Sequence, residues 1–417
     1  MDSTPGDLLN DLQTIMAVSR AMGSERDLDR LLDLILRSVT DLVHADRATL
    51  FLVDVERQEL WSRIAHGAQE IRLPMGSGIA GAVASSGTPV NIPAAYDDPR
   101  FNPDNDRRTG YRTWSILCMP LVTHTNAVVG VIQVLNKRSG EPFSAYDEQI
   151  LSALCSQAGV VIDNAQLILR DLERQRLARD MELARQIQLS LLPQQPPILP
   201  GWRFATYSRS CDQTGGDYFD FMMRPADGVD VVVGDVSGHG LAAAMVMSTA
   251  RATLRALHGR DDGAGELMTR LNHLLEQDLS DETFMTMALI RLGGDGSCSY
   301  VSAGHETPLV HRAGGVFDAI EETDIMLGVL DDATYGTHAI ATLRRGDILT
   351  LFTDGIFEAQ APPDFTQWGM DRLRAAIARH AAQGAQVVCD AVVAEVSAHL
   401  GAASPHDDMT IVVAERL

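Results

Sequence analysis

Apolar residues recur at helical spacing between residues 7 and 43, with Leu28, Leu31, Leu32, Ile35 and Val39 on one face. Runs rich in β-formers then predict strands at Ala48–Val53, Leu60–Ala65, Ser115–Val122 and Val128–Leu135. Between the second and third lies Pro74–Gly110, dense in Gly, Pro, Asn and Asp, which reads as loop. The helical period returns over Ser144–Arg170, where Ser144 opens the first turn and Asp147 and Glu148 sit inside it. Helix, antiparallel strands and helix together predict an α+β domain of about 150 residues.

From Asp163 to Leu192 the pattern stays helical and charged, without Gly or Pro until Pro193. Ala165, Leu169 and Leu172, then Leu177, Met181 and Ala184, keep 3–4 spacing, and residues 173–176 interrupt the seam. The stretch reads either as a solvated connecting helix or as a short parallel coiled coil between two protomers. Repeated prolines over residues 193–200 end it, because proline cannot propagate a helix. Beyond them, strands are expected at Arg203–Ser210, Val229–Gly234, Phe284–Leu292, Cys298–Ser302, Asp347–Phe352 and Met409–Val413. Helices are expected at Leu241–Leu257, Gly265–Leu279, Met370–Ala382 and Ala385–Leu400. Such an order predicts sheets covered by helices.

Composition narrows the function. The 417 residues carry 34 basic and 56 acidic side chains, a formal charge of −22, which disfavours nucleic acid or anionic lipid as a partner. No apolar run reaches the roughly 20 residues of a membrane helix. The N-terminus lacks the basic start and apolar stretch of a secretory signal, so a cytoplasmic location is expected. Cys118, Cys155, Cys211, Cys298 and Cys389 form no close pair, which predicts reduced thiols and no zinc site. The histidines are equally scattered, so any metal must be held mainly by oxygen.

Acidic residues recur where strands end. They lie in Gly215-Gly216-Asp217-Tyr218-Phe219-Asp220, Gly234-Asp235-Val236-Ser237-Gly238-His239-Gly240, Thr353-Asp354-Gly355 and His406-Asp407-Asp408-Met409-Thr410. Each alone is a turn signal. Four in one domain suit oxygen-ligated Mg²⁺ or Mn²⁺, and two such ions can lower the pKa of a water and clamp a phosphate. There is no Gly-x-Ser-x-Gly elbow to supply a serine nucleophile instead.

These motifs, with Ser302–Leu309 and Arg344–Ala359 in the same order, resemble the SpoIIE/RsbU-type branch of the metal-dependent PPM protein phosphatases. Residues 182–193 are also similar to the segment that leads into that domain. The resemblance implies an αββα sandwich, two Mn²⁺ or Mg²⁺ ions and hydrolysis of phosphoserine or phosphothreonine. It makes Asp235, Asp217, Asp354 and Asp407 catalytic. Asp235 would bridge the ions beside the carbonyl of Val236, and Asp217 would act from its turn. Asp354 and Asp407 would complete the set, with Asp408 competing for the last place. No arginine is fixed as a phosphate clamp, although Arg209 is available. His239 is a candidate general acid and His305 reads as turn support. Glu306 replaces the family's usual Asn.

The first half resembles a GAF domain. Asn136-Lys137, Phe143 and Asp147-Glu148 follow the pattern of the cyclic-nucleotide-associated class, supported by residues 75–81, 89–92 and 98–101. Apart from Lys137, every basic residue is arginine. The resemblance implies a pair between Lys137 and Asp147, and leaves open a cyclic nucleotide, another small ligand or dimerisation alone. The expected organisation is an N-terminal helical segment (1–25), a GAF sensor (26–168), a helical linker (169–200) and a phosphatase domain (201–417). A homodimer acting on a phosphorylated anti-sigma-factor antagonist in trans is the expected assembly. A non-catalytic GAF scaffold with a pseudophosphatase domain, and an enzyme for small phosphate esters, are the alternatives.

Overall fold

The computed structural model describes residues 5–62, 71–224, 228–259, 263–280, 282–320 and 323–417. Its contacts divide the chain into two compact units, residues 1–176 and 177–417.

In the first unit the order is α1 (Pro5–Ser24), α2 (Leu28–Leu42), β1 (Ala45–Asp54), β2 (Glu59–Ser62), β3 (Ile71–Pro74), α3 (Gly78–Ser86), β4 (Val90–Ile92), α4 (Asp104–Thr109), β5 (Ile116–Val122), β6 (Val128–Lys137) and α5 (Ala145–Leu191). The strands form one antiparallel sheet in the order β3-β2-β1-β6-β5-β4. Alternation assigns each strand's residues to two cores. Leu50, Leu52, Leu117, Met119, Ile132 and Val134 pack with α2 and α5, while Phe51, Ile116, Cys118 and Val131 pack under α3.

Two features depart from the sequence pattern. The stretch read as loop holds α3, β4 and α4; the small residues Ile79, Ala80, Val83 and Ala84 bury a face too short to show a clear helical period. The apolar stretch from residue 7 to 43 is two helices, and Asp27 caps the second by accepting the Arg30 N–H at 3.0 Å. Of the expected strand Leu60–Ala65, residues 63–65 lie outside the described residues.

The start of α5 is a capping box. Asp147 Oδ2 accepts the Ser144 N–H at 2.7 Å and the Ser144 hydroxyl at 2.8 Å, and the Asp147 N–H returns to Ser144 Oγ. Lys137 Nζ reaches the same carboxylate oxygen at 2.6 Å, tying the end of β6 to α5. Asn136, with φ of 52°, is also saturated. Its Oδ1 accepts from Trp114 N and Ser115 N, and its Nδ2 donates to Tyr111 Oη and Arg112 O. The motif therefore serves the fold first.

The second unit continues with β7 (Trp202–Arg209), β8 (Tyr218–Arg224), β9 (Gly228–Val236), α6 (Leu241–Leu257), α7 (Ala264–Asp278), β10 (Met285–Gly293), β11 (Cys298–Ala303), β12 (Leu309–His311), β13 (His338–Ile340) and β14 (Ile348–Phe352). Then come α8 (Asp354–Phe357), the hairpin β15 (Gln360–Ala361) and β16 (Thr366–Gln367), α9 (Met370–His380), α10 (Ala385–Leu400) and β17 (Met409–Arg416). A five-stranded sheet, β13-β11-β10-β9-β8, faces a four-stranded one, β12-β14-β17-β7. Leu349, Leu351, Val412 and Ala414 point into the inter-sheet core, whereas Ile348, Phe352, Ile411 and Val413 pack on α9 and α10. With α6 and α7 over the five-stranded sheet, the layers are α, β, β, α.

Strand β8 escapes the sequence pattern because Asp220 sits at its centre. That carboxylate is fully buried, clamped by Arg255 at 2.6 Å on both oxygens and bonded by the Tyr218 hydroxyl.

The Lys137 link generates a prediction. Lys137→Met leaves Asp147 buried with only Ser144 as donor and should cost about 2 kcal/mol, reduced because Lys137 keeps some solvent contact. Amide exchange at the β6–α5 junction should accelerate about 30-fold. Unchanged exchange would show that Ser144 alone holds the carboxylate.

Candidate functional site

Strand register assembles the acidic residues. Tyr218 pairs with Gly234, so the residues flanking that pair, Asp217 and Asp235, fall side by side at one end of the five-stranded sheet. In the other sheet Phe352 pairs with Ile411, and the Thr353 N–H donates to Thr410 O at 3.0 Å. Asp354 therefore leaves β14 where Asp407 and Asp408 enter β17. Stacked sheets bring these two ends together.

Close backbone approach holds them there. A Cβ on Gly216 would lie 2.9 Å from Val236 O and 3.2 Å from Asp235 Oδ1, and one on Gly355 would collide with Asp408 O. Glycine is required at both places because nothing larger fits.

The carboxylates differ in how their oxygens are used. Asp408 is buried and spent on backbone: Oδ1 accepts the Cys211 N–H at 2.7 Å, and Oδ2 accepts those of Gly216 at 2.6 Å and Asp217 at 3.4 Å. Its neighbour Asp407 is exposed and accepts the Asp408 N–H at 2.8 Å. Asp217 is buried; its Oδ2 accepts the Thr353 hydroxyl at 2.8 Å, while Oδ1 has no hydrogen-bond partner among the described residues. Asp354 Oδ1 is likewise buried and unpartnered.

Burial, then the neighbouring carboxylates, push the set upward. Asp235 rises to about 8, through burial and then Asp354, Asp407 and Asp408, and Asp354 rises to about 6 through burial, Asp407 and Glu358. Asp217 is raised by burial and by Asp235. Glu358, within the Arg344–Ala359 motif, and Glu306 add to the negative field around Asp354.

Other residues fall around this cluster. His305 is buried, with Nδ1 2.9 Å from Thr286 Oγ1, and burial lowers its pKa to about 4, so it stays neutral. Its carbonyl accepts the Ser302 hydroxyl, which makes it a turn support. His239 is exposed, with Nδ1 4.0 Å from Asp212 Oδ2. Arg209 is exposed and pairs in register with Met409, one residue from Asp408.

Two contributors were not singled out in the sequence. The buried Gln188, near the end of α5, donates from Nε2 to Gly215 O at 2.5 Å and accepts the Gly215 N–H on Oε1 at 3.2 Å. Thr353 is the second. Gln188 lies within residues 182–193, so the segment was visible although its role was not.

Among the described residues, no three His, Cys, Asp or Glu side chains already form a cation cage. The donor set fits a divalent cation on other grounds. Two buried carboxylate oxygens lack partners, several like charges converge, and all the donors are hard oxygens. Replacing the ionisable carboxyl by a neutral amide should relieve the cost of holding it among the other carboxylates. Asp235→Asn should raise the thermal midpoint of the EDTA-treated protein by about 2–4 °C, equivalent to about 1 kcal/mol. It should also abolish any rise that Mn²⁺ produces in the wild type, read by differential scanning calorimetry. A lowered midpoint without metal would contradict the repulsion.

Comparison with known proteins follows the same division. The GAF domain family matches residues 27–162, and the family of stage II sporulation protein E (SpoIIE) matches residues 225–417. The dual 3′,5′-cyclic-AMP and -GMP phosphodiesterase 11 of Drosophila melanogaster is 38% identical over 198 residues, covering 43% of this chain and 14% of that protein. Such curated matches lie in the GAF region, and the chain spans less than a quarter of these relatives' length. Among solved structures, the SiaA-PP2C domain of Pseudomonas aeruginosa superposes with a TM-score of 0.52 at 21% identity, covering 59% of this chain and 98% of that one. The RsbU and RsbW domains of a Mycobacterium tuberculosis protein are 26% identical, with a TM-score of 0.46, covering 53% and 61%. No helix among the described residues is long and apolar enough to cross a membrane. The chain thus joins a GAF domain, residues 27–162, to a SpoIIE domain, residues 225–417, whose fold is that of PP2C domains.

Proposed function

We propose that this chain is a metal-dependent protein serine/threonine phosphatase regulated through its GAF domain. The observation that carries the reading is the convergence of Asp217, Asp235, Asp354 and Asp407, with buried carboxylate oxygens of Asp217 and Asp354 lacking any partner. In this reading Asp235 and the Val236 carbonyl, Asp217, Asp354 and Asp407 hold two Mn²⁺ or Mg²⁺ ions. Asp408 holds the backbone of the turn instead of a metal, because both its oxygens already accept N–H groups. When bound, such ions supply a water of lowered pKa and neutralise charge on a phosphate. The chain's own part is to orient the carboxylates, and His239, exposed and near enough to Asp407 to favour its ionised form, is the candidate general acid.

The proposed substrate is a phosphoserine or phosphothreonine protein supplied in trans, of the anti-sigma-factor antagonist kind implied by the family resemblance. The GAF ligand is a small molecule, and a cyclic nucleotide is the first to test because the phosphodiesterase named above acts on these nucleotides. Lys137 and Asn136 are already engaged within the fold, so ligand contacts must come from other residues.

Hydrolysis of p-nitrophenyl phosphate should require Mn²⁺ and vanish in Asp354→Ala. In the same assay Gln188→Ala should lower kcat about tenfold, because the Gly215 backbone loses its clamp. Absent activity in a wild type that binds no metal would favour the scaffold reading.

We also propose that α5 pairs with its counterpart in a second copy. Leu169, Leu172, Leu177, Leu183 and Ile187 are all exposed on this 47-residue helix. Light scattering of the full chain should give twice 45.2 kDa, and Leu172→Glu with Leu177→Glu should halve it. A monomeric wild type would refute the pairing.

A further inference from the structure

Thr353 occupies a junction that the metal-site reading leaves unexplained. It immediately precedes Asp354, it is fully buried, and it touches the two sheets' acidic ends at once. Its backbone N–H donates to Thr410 O at 3.0 Å, continuing the β14–β17 ladder by one step. Its hydroxyl oxygen accepts the Thr410 N–H at 3.0 Å and donates to Asp217 Oδ2 at 2.8 Å. A hydroxyl has one proton and two lone pairs. With Thr410 N–H filling an acceptor position, the proton goes to Asp217 Oδ2 at 2.8 Å in preference to the Asp408 carbonyl at 3.5 Å. The β-branched side chain is stiff about χ1, and burial leaves it nowhere to swing.

The consequence falls on Asp217. One of its oxygens accepts the Thr353 hydroxyl, the Thr410 side chain also favours its ionised form, and Oδ1 is buried without a hydrogen-bond partner among the described residues. We propose that Thr353 is a positioning residue whose hydroxyl fixes the Asp217 carboxylate so that Oδ1 alone is left to a divalent cation or to a water held by it. This inference rests on the metal-dependent reading above. It adds that the carboxylate's orientation is set from β14, by the residue beside Asp354, so the turn at Asp217 and the strand end at Asp354 are held in one arrangement.

The test compares Thr353→Val, which keeps the shape and removes the hydroxyl, with Thr353→Ser, which keeps the hydroxyl and removes the methyl. Mn²⁺ alone is titrated into each full-length protein by calorimetry, with circular dichroism as the check on folding. Thr353→Val should bind Mn²⁺ about 10–100-fold more weakly, the usual effect of losing a group that orients a ligand, and Thr353→Ser should stay within about threefold of wild type. If Thr353→Val does not fold, Thr353→Ala takes its place in the same contrast. Equal binding by wild type and the hydroxyl-free variant would overturn the inference and leave the metal site standing. Equal loss in the serine variant would also overturn it, by assigning the effect to the methyl group. A wild type that binds no Mn²⁺ would overturn the metal reading itself, and this inference with it.

Discussion

The second unit is organised around mutual repulsion among carboxylates gathered at one end of a sandwich. Burial and like charge raise Asp217, Asp235 and Asp354 together, so the folded chain carries an electrostatic cost there that unfolding would release. The surrounding structure offsets it with apolar material. Val229, Val231, Val232 and Val233 fill the core behind Asp235, and Ile348, Leu349, Leu351 and Phe352 do the same behind Asp354. An apolar run that ends in an acidic tip makes this division local, and the buried Asp230 at the far end of β9 is neutralised separately by Arg291. The body of the run stabilises the sandwich while its tip carries the charge.

The turn at residues 215–217 shows how tightly that end is held. Gln188 brackets the Gly215 peptide group, Asp408 accepts the N–H groups of Gly216 and Asp217, and Thr353 holds the Asp217 carboxylate. The three supports come from α5, from the start of β17 and from the end of β14, segments far apart in the sequence. Glycine at 216 lets the turn press against the Val236 carbonyl. One of the three supports belongs to a helix that runs without a break from Ala145. In the proposed enzyme, the state of that helix therefore bears on the turn through a single amide.

Much of this was legible in the sequence, for identifiable reasons. Helix α6 was read with its observed limits, because its buried Ala243, Met247, Ala250 and Leu254 keep a 3–4 period over a full 17 residues. The acidic motifs at Asp235 and Asp354 were visible because each joins an apolar strand to a glycine. Strand β8 was not, since Asp220 interrupts its apolar run and only the folded chain shows Arg255 neutralising it. Helix α3 was hidden by its shortness and small residues. The two adjacent aspartates could not be separated by composition. What distinguishes Asp407 from Asp408 is which one faces the Gly216 and Cys211 N–H groups, a matter of backbone geometry alone.

The same distinction between a motif and its use applies to the first unit. The Asn136-Lys137 and Asp147 pattern is associated by resemblance with cyclic nucleotides, yet each of these polar groups meets a partner inside the fold. Asn136 uses both of its amide donors and its carbonyl, and Asp147 serves as helix cap and as counterion together. A buried group whose hydrogen bonds are already made has little left to offer a ligand, and releasing it would leave its partners unsatisfied. The motif therefore identifies a way of joining β6 to α5, and any family that closes this junction in the same way will carry it. Ligand preference must be written in other side chains, where sequence similarity to the phosphodiesterases is evidence of common descent before it is evidence of a common ligand.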